Sequence, residues 1–150
     1  MIRDTSADGR RFIGPEEISA FLDQRNPALV GVAGTVRADG SPHVVPVWYR
    51  WDGDAVRLWT HEERLWVRNL RRDPRIAFSV QETEPPYGAV TMRGRAEICT
   101  ASADAEDEIR RITRRYLSEN EVEGYVTAWS HLRTIVCIHP AAIRAWGRGY

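Results

Sequence analysis

Between Val90 and Ile98 the sequence alternates without a break, with Val90, Met92, Gly94, Ala96 and Ile98 on one side of an extended chain and Thr91, Arg93, Arg95 and Glu97 on the other. Only a strand has this period of two, and the split into an apolar and a charged side predicts a long strand with one polar face. Any fold for the chain has to give that strand a core on one side and water on the other.

Further strand signals surround it. Leu29 to Val36 is rich in small and branched apolar residues, Ala38-Asp39-Gly40 is a turn signal, and Val44 to Arg50 resumes an extended pattern, which predicts a hairpin. Trp51-Asp52-Gly53-Asp54 makes a second tight turn, after which Val56 and Leu58 alternate with Arg57 and Trp59, so a three-stranded meander is expected. Ile76 to Val80 is a strand, Glu84-Pro85-Pro86-Tyr87-Gly88 is a loop that proline keeps out of any ladder, and Thr134 to Ile138 and Ala142 to Trp146 are two more extended segments.

Helical signals fall outside these strands. Gly14-Pro15-Glu16-Glu17 reads as a helix start, with Ile18, Phe21 and Leu22 as its apolar stripe and Asn26-Pro27 beyond its end; residues 1–14 read as a loose leader. Ser102 is placed to cap a second helix whose first turn is acidic, whose last turn carries Arg114 and Arg115, and whose buried stripe is Ala105, Ile109, Ile112 and Tyr116. Glu121 to Trp129 predicts a less regular helical piece. Many short strands with tight turns, peripheral helices and 150 residues predict one mainly β domain, a closed or nearly closed antiparallel barrel. No G-x-G-x-x-G or phosphate-loop pattern supports a doubly wound nucleotide fold.

Composition narrows the chemistry. Basic and acidic residues balance at 21 each, so there is no global polycationic footprint for nucleic acid and any polyanion must be met by a local patch. Every basic residue is arginine, which excludes a lysine Schiff base and pyridoxal-type covalent catalysis. Cys99 and Cys137 form no C-x-x-C pair, and His43, His61, His131 and His139 have no metal-ligand spacing, so no metal site is expected. Without a signal peptide or an apolar run near the ~20 residues of a membrane span, a soluble cytoplasmic protein with free thiols is expected.

The segment from Thr60 to Pro74 predicts a short helix directly after the meander. Arg64, Arg68 and Arg71 stand one and two turns apart on one side, while Trp66, Val67 and Leu70 gather on another. Basic residues near a helix end also complement its dipole, and Asp73-Pro74 is an ordinary stop signal. A guanidinium stripe beside an apolar wall equally suits a phosphorylated aromatic cofactor.

The run Gly40-Ser41-Pro42-His43-Val44-Val45-Pro46-Val47-Trp48, then Asp52-Gly53-Asp54, Arg68-Asn69-Leu70-Arg71-Arg72-Asp73-Pro74-Arg75 and Arg93-Gly94-Arg95-Ala96-Glu97, resembles the pyridoxamine 5'-phosphate oxidase-like, FMN-binding split β-barrel proteins. Within them it is most similar to the actinobacterial flavin and deazaflavin (F420) dependent oxidoreductases. The resemblance extends from Ile18 to Trp146. It implies a homodimer with a site at each subunit interface, a cofactor ring near Pro46, Val47, Trp48 and Leu58, and its phosphate near Trp59, Thr60, Arg64, Arg68 and Asn69. Many relatives carry a phosphate-binding lysine where this sequence has Trp66, which either closes over a ring or packs in the core.

F420 carries a phosphodiester and a polyglutamate tail, so it needs a longer basic track than FMN, and Arg64, Arg68, Arg71 and Arg72 offer one. The expectation is therefore an F420-dependent oxidoreductase that passes hydride to a conjugated small molecule, with FMN as the alternative cofactor. A non-catalytic carrier or sensor of flavin or tetrapyrrole is the reading from another class, favoured by Trp66. Trp48 and Trp59 suit barrel core or cofactor contact alike, His43 and His61 are the nearby imidazoles, and Arg93 and Arg95 suit a dimer seam or a substrate anion. No catalytic residue is singled out.

Overall fold

A computed structural model describes residues 14–85, 87–100, 103–129 and 134–146. The elements run α1 (Pro15–Leu22), β1 (Gly31–Val36), β2 (Pro42–Val47), β3 (Tyr49–Trp51), β4 (Val56–Thr60), α2 (Leu65–Arg72), β5 (Arg75–Gln81), β6 (Ala89–Thr100), α3 (Ala103–Thr113), α4 (Glu119–Trp129) and β7 (Thr134–Trp146). The predicted Ser102 cap and the 1–13 stretch of the leader lie outside the described residues.

All seven strands form one antiparallel sheet in the order β2-β1-β5-β6-β7-β4-β3. Its two edges, β2 and β3, are consecutive in the chain with only Trp48 between them. A seven-stranded sheet whose first and last strands are joined by one residue has to curl round on itself, and that is the split antiparallel barrel.

Two expectations are corrected by this geometry. The extended run Val44 to Arg50 is not one strand of a continuous meander: it breaks at Trp48, pairing with β1 on one side of the break and with β4 on the other. Local turn signals specify each hairpin but not the sheet edge to which it belongs. The two segments Thr134 to Ile138 and Ala142 to Trp146 are one strand, β7, which passes through Pro140. Proline is tolerated there because the ladder shifts register between Arg93 and Gly94, so that Arg93 faces Ala142 and Gly94 faces Pro140.

Alternation sets which side each residue takes. Ala33, Phe78, Val80, Val90, Met92, Leu58, Val136 and Ile138 enter the barrel core, while Ile135 and Cys137, one residue out of phase, join Ala105, Ile109, Val122 and Val126 in a second cluster outside it. That cluster fixes the helix pair α3–α4 over the outer side of β4 and β7. The Phe78 ring fits only because Gly31 lies across from it: a Cβ on Gly31 would be 2.2 Å from Phe78 Cζ. Trp66, Val67 and Leu70 of α2 also lie in the barrel core, each contributing about 1.5–3 kcal/mol of transfer free energy. The outer face of β2, β1, β5 and β6 has no helix against it among the described residues, and Val44 on it is 67% exposed.

Candidate functional site

The α2 segment begins later than its sequence pattern suggests, because Thr60 ends β4 and Arg64 is the N-cap of α2. Its basic stripe is divided by what each guanidinium meets. Arg64 and Arg68 are exposed and have no side-chain partner among the described residues. Arg71 pairs with Glu62 at 3.4 Å, and Arg72 donates to the Val36 carbonyl of β1. Of the two acids just before Arg64, Glu62 is engaged by Arg71 and Glu63 is exposed. Asn69 is buried and donates through Nδ2 to Thr35 Oγ1 at 3.0 Å, so it ties α2 to β1.

The other residues implied by the resemblance divide among three places. Leu58 and Trp66 are buried in the barrel core at 0% and 4% exposure, and Val47 packs against the same core. Trp66 packs in the core, and a cation in its place would be desolvated without a partner. Trp48 and Trp59 lie outside the core under α3 and α4. Trp48 stacks on Tyr116 with ring centroids 4.7 Å apart and planes 8° from parallel, and its edge meets Tyr125; Trp59 meets Tyr125 edge-on at 5.7 Å. Burial raises the hydroxyl pKa of Tyr116 and of Tyr125 above the ordinary phenol value, so both rings are neutral. Trp59 Nε1 is buried with no hydrogen-bond partner. Pro46, half-buried Thr60, Arg64 and Arg68 keep surface available to a ligand.

A concavity of about 750 Å³ lies elsewhere, on the outer face of β2, β1, β5, β6 and β7. Gly34, Ala77, Gly94 and Ala142 keep its floor low, and Arg75, Arg93, Arg95 and His43 border it. The register shift opposite Gly94 is what lets neighbouring Ala141 and Ala142 both contribute. His43 Nδ1 lies 3.2 Å from Arg37 Nη2; arginine only donates, so Nδ1 is the acceptor in that bond. Neither Arg64 nor Arg68 lines this groove. Sequence reasoning picked out Arg93 and Arg95 but missed the groove, and Tyr116 and Tyr125 as partners of Trp48. Its one available trace was the run of small residues at Gly34, Ala77 and Gly94, which only the strand register brings into line. Among the described residues no three His, Cys, Asp or Glu side chains stand together as a metal site. No described helix is long and apolar enough to cross a membrane.

The family described as pyridoxamine 5'-phosphate oxidase matches residues 15–147, nearly the whole chain. The chain belongs to that family. Among solved structures it is similar to the conserved hypothetical protein Rv2991 from Mycobacterium tuberculosis, at 25% identity and TM-score 0.78 over 95% of this chain and 89% of that one. It is similar to an F420 reductase at 28% identity and TM-score 0.68 over 84% of this chain and 94% of that one. The heme storage protein HutZ from Vibrio cholerae shares the fold at 19% identity and TM-score 0.69, covering 89% and 95%. No curated protein matches the sequence. The split barrel of this pyridoxamine 5'-phosphate oxidase family member is therefore a scaffold that relatives turn to more than one use.

Proposed function

We propose that this split-barrel protein is an F420-dependent oxidoreductase acting as a homodimer on a conjugated small-molecule acceptor. The observation that carries the reading is the pair Arg64 and Arg68, one turn apart at the start of α2, exposed and without a counter-charge among the described residues, shortly after Thr60 at the end of β4. Two free guanidiniums and a hydroxyl are a donor set suited to phosphate and carboxylate oxygens. Similarity to an F420 reductase at 28% identity supports the same cofactor class.

Neither the groove of about 750 Å³ nor the smaller concavity beside Pro27 and Pro85 is lined by these residues. The reading therefore relies on a second protomer to complete the site, and exposed Val30, Val32 and Val44 supply apolar surface for that contact. When bound, F420 supplies the hydride chemistry. Arg64 and Arg68 hold its anionic groups, Thr60 adds a hydroxyl donor, Pro46 supports the ring, and the second protomer excludes water.

Titration of the purified protein with F420 and with FMN, followed by cofactor fluorescence, tests this. Micromolar binding of F420, tighter than that of FMN, is expected. Preference for FMN overturns the choice of cofactor, and no binding of either below about 100 µM overturns both. Reduced F420 offered with quinones, enones and bilins is expected to be oxidised in step with acceptor reduction. Binding without turnover identifies a carrier, the reading that the loss of a cation at Trp66 favours.

A further inference from the structure

We infer that the seam between two protomers holds a small polycarboxylate, gripped by Arg93 and Arg95 of both copies. The inference rests on the homodimer of the redox reading and adds a ligand to its seam, at residues that reading does not use.

The sheet supplies the seam. Among the described residues, helices cover the outer side of β4 and β7 but not that of β2, β1, β5 and β6, where Val44 is 67% exposed. Val44 is directly opposite Gly34, Gly34 opposite Ala77, Ala77 opposite Arg93, and Arg93 opposite Ala142, so one row crosses this face. Glycine and alanine keep the middle of the row low. An isologous pair lays a copy of the row against it in the opposite sense. With the two-fold axis near the middle, the Arg93 side chains of the two copies look across one recess. Its volume in each protomer, about 750 Å³, is that of a small-molecule site, and two low floors do not fill one another.

Charge decides what fills the space. An isologous contact doubles the charge of a face instead of complementing it. Arg75, Arg93 and Arg95 line the recess and no carboxylate does. Arg75 and Arg95 are directly opposite across the β5–β6 ladder, an unfavourable register for like charges. Asp73 neutralises Arg75 through a two-pronged contact, Nε at 3.0 Å and Nη2 at 2.7 Å. Strands β2, β1, β5 and β6 contain one acid, Glu97, and His139 meets it at 3.0 Å. Arg93 and Arg95 are exposed, with no counter-charge among the described residues. A second copy of these strands therefore brings two more cations and no free acid. In one protomer water solvates these guanidiniums at little cost; closing the seam removes that water and leaves them unpaired. A polyanion between the copies offsets the cost through charge-assisted contacts. Arg93 and Arg95 stand two residues apart on β6, about 7 Å, so carboxylates on separate carbons reach both where a single phosphate does not.

The test titrates citrate by calorimetry into the full chain without cofactor, in chloride at constant ionic strength, and follows the dimer by sedimentation. Citrate is expected to bind the parent dimer at least about tenfold tighter than inorganic phosphate does, and to strengthen the dimer about tenfold or more. Combining Arg93→Gln with Arg95→Gln is expected to weaken citrate about tenfold or more, while the dimer in chloride stays as tight as the parent's or tightens. Val44→Asp changes an exposed side chain, so it is expected to keep the melting temperature, to be monomeric and to bind citrate as weakly as the double variant. A parent dimer indifferent to citrate, or one that takes phosphate equally well, overturns the inference. So does a double variant that dissociates, because the arginines would then pair with acids of the other copy, and so does a Val44→Asp protein that remains a dimer. Competition between F420 and citrate assigns the seam arginines to the cofactor's own tail and overturns the claim of a separate ligand. A chain that is monomeric in every buffer overturns the homodimer and the inference together, whereas failure of F420 to bind counts against the redox reading and leaves the citrate result standing.

Discussion

Tyr49 and Arg115 end on one acceptor: the Tyr49 hydroxyl donates to the Leu22 carbonyl at 2.6 Å and Arg115 Nη1 donates to the same oxygen at 3.0 Å. The Arg115 guanidinium also sits 4.5 Å from the centre of the Tyr49 ring and donates to the Gln24 carbonyl. Together they close the end of α1, whose last carbonyls have no helical partner, and bind it to β3 and to the turn that follows α3. Burial pushes the Tyr49 hydroxyl far above the ordinary phenol value, with Arg115 pulling the other way, so it is a neutral donor at any working pH.

Arg115→Met is therefore expected to cost about 3 kcal/mol or more, because the side chain is 1% exposed, the Gln24 carbonyl loses this donor and the Leu22 carbonyl keeps only Tyr49. Tyr49→Phe is expected to cost about 1–2 kcal/mol. Their shared acceptor makes the double variant non-additive, by about 0.5–3 kcal/mol in a urea-denaturation cycle. Additivity within error would show that the two donors act independently.

Gly94→Ala and Gly34→Ala separate backbone fit from groove volume. A Cβ on Gly94 would lie 2.0 Å from the His139 carbonyl oxygen, which is backbone and cannot move aside without breaking the register shift. That variant is expected to lose about 2 kcal/mol or more of stability. A Cβ on Gly34 would sit 3.6 Å from Ala77 Cβ, an ordinary contact, so Gly34→Ala should fold within about 1 kcal/mol of the parent.

Asp73 gives the chain an acid-sensitive contact. Hydrogen bonds from the Arg75 side chain and backbone hold its carboxyl at about 2, below the ordinary carboxylate value. A carboxylate whose pKa is lower in the folded state supports the fold above the unfolded value, and that support fades as pH falls from about 4 toward about 2. Asp73→Asn is expected to be less stable than the parent above pH ~4 and to converge with it toward pH ~2 in acid-unfolding curves. The variant also leaves Arg75 unneutralised opposite Arg95, so its deficit should shrink in high salt. A deficit constant from pH ~2 to pH ~7 would refute the linkage.

Arg64→Ala with Arg68→Ala tests the proposed cofactor contact without touching the fold. Both side chains are exposed and have no partner among the described residues, so the double variant's stability should stay within about 0.5 kcal/mol of the parent. Its F420 affinity should fall about tenfold to a hundredfold, as expected for losing one or two charge-assisted contacts. Unchanged affinity would remove the pair from the site.

Most strands and all four helices were legible in the sequence because their signals are local. The alternation in β6 and the acid-first helix starts reflect residues a few positions apart, and physics at that range survives in any context. The family was legible for a related reason, since motifs such as Arg68-Asn69-Leu70-Arg71-Arg72-Asp73-Pro74 keep their spacing. What the sequence left open was which neighbour each residue meets. Trp48 read as cofactor wall or core in equal measure, and only the docking of α3 and α4 laid Tyr116 against it. The stripe on α2 read as one basic track, and only the closeness of β1 and Glu62 removed Arg72 and Arg71 from it. The groove on the outer face exists nowhere along the chain: Gly34, Ala77, Arg93 and Ala142 are brought into one row by pairings between strands far apart in sequence. Local chemistry chose the elements, and long-range registry, set by burying one core from both ends of the chain, chose the surface they present.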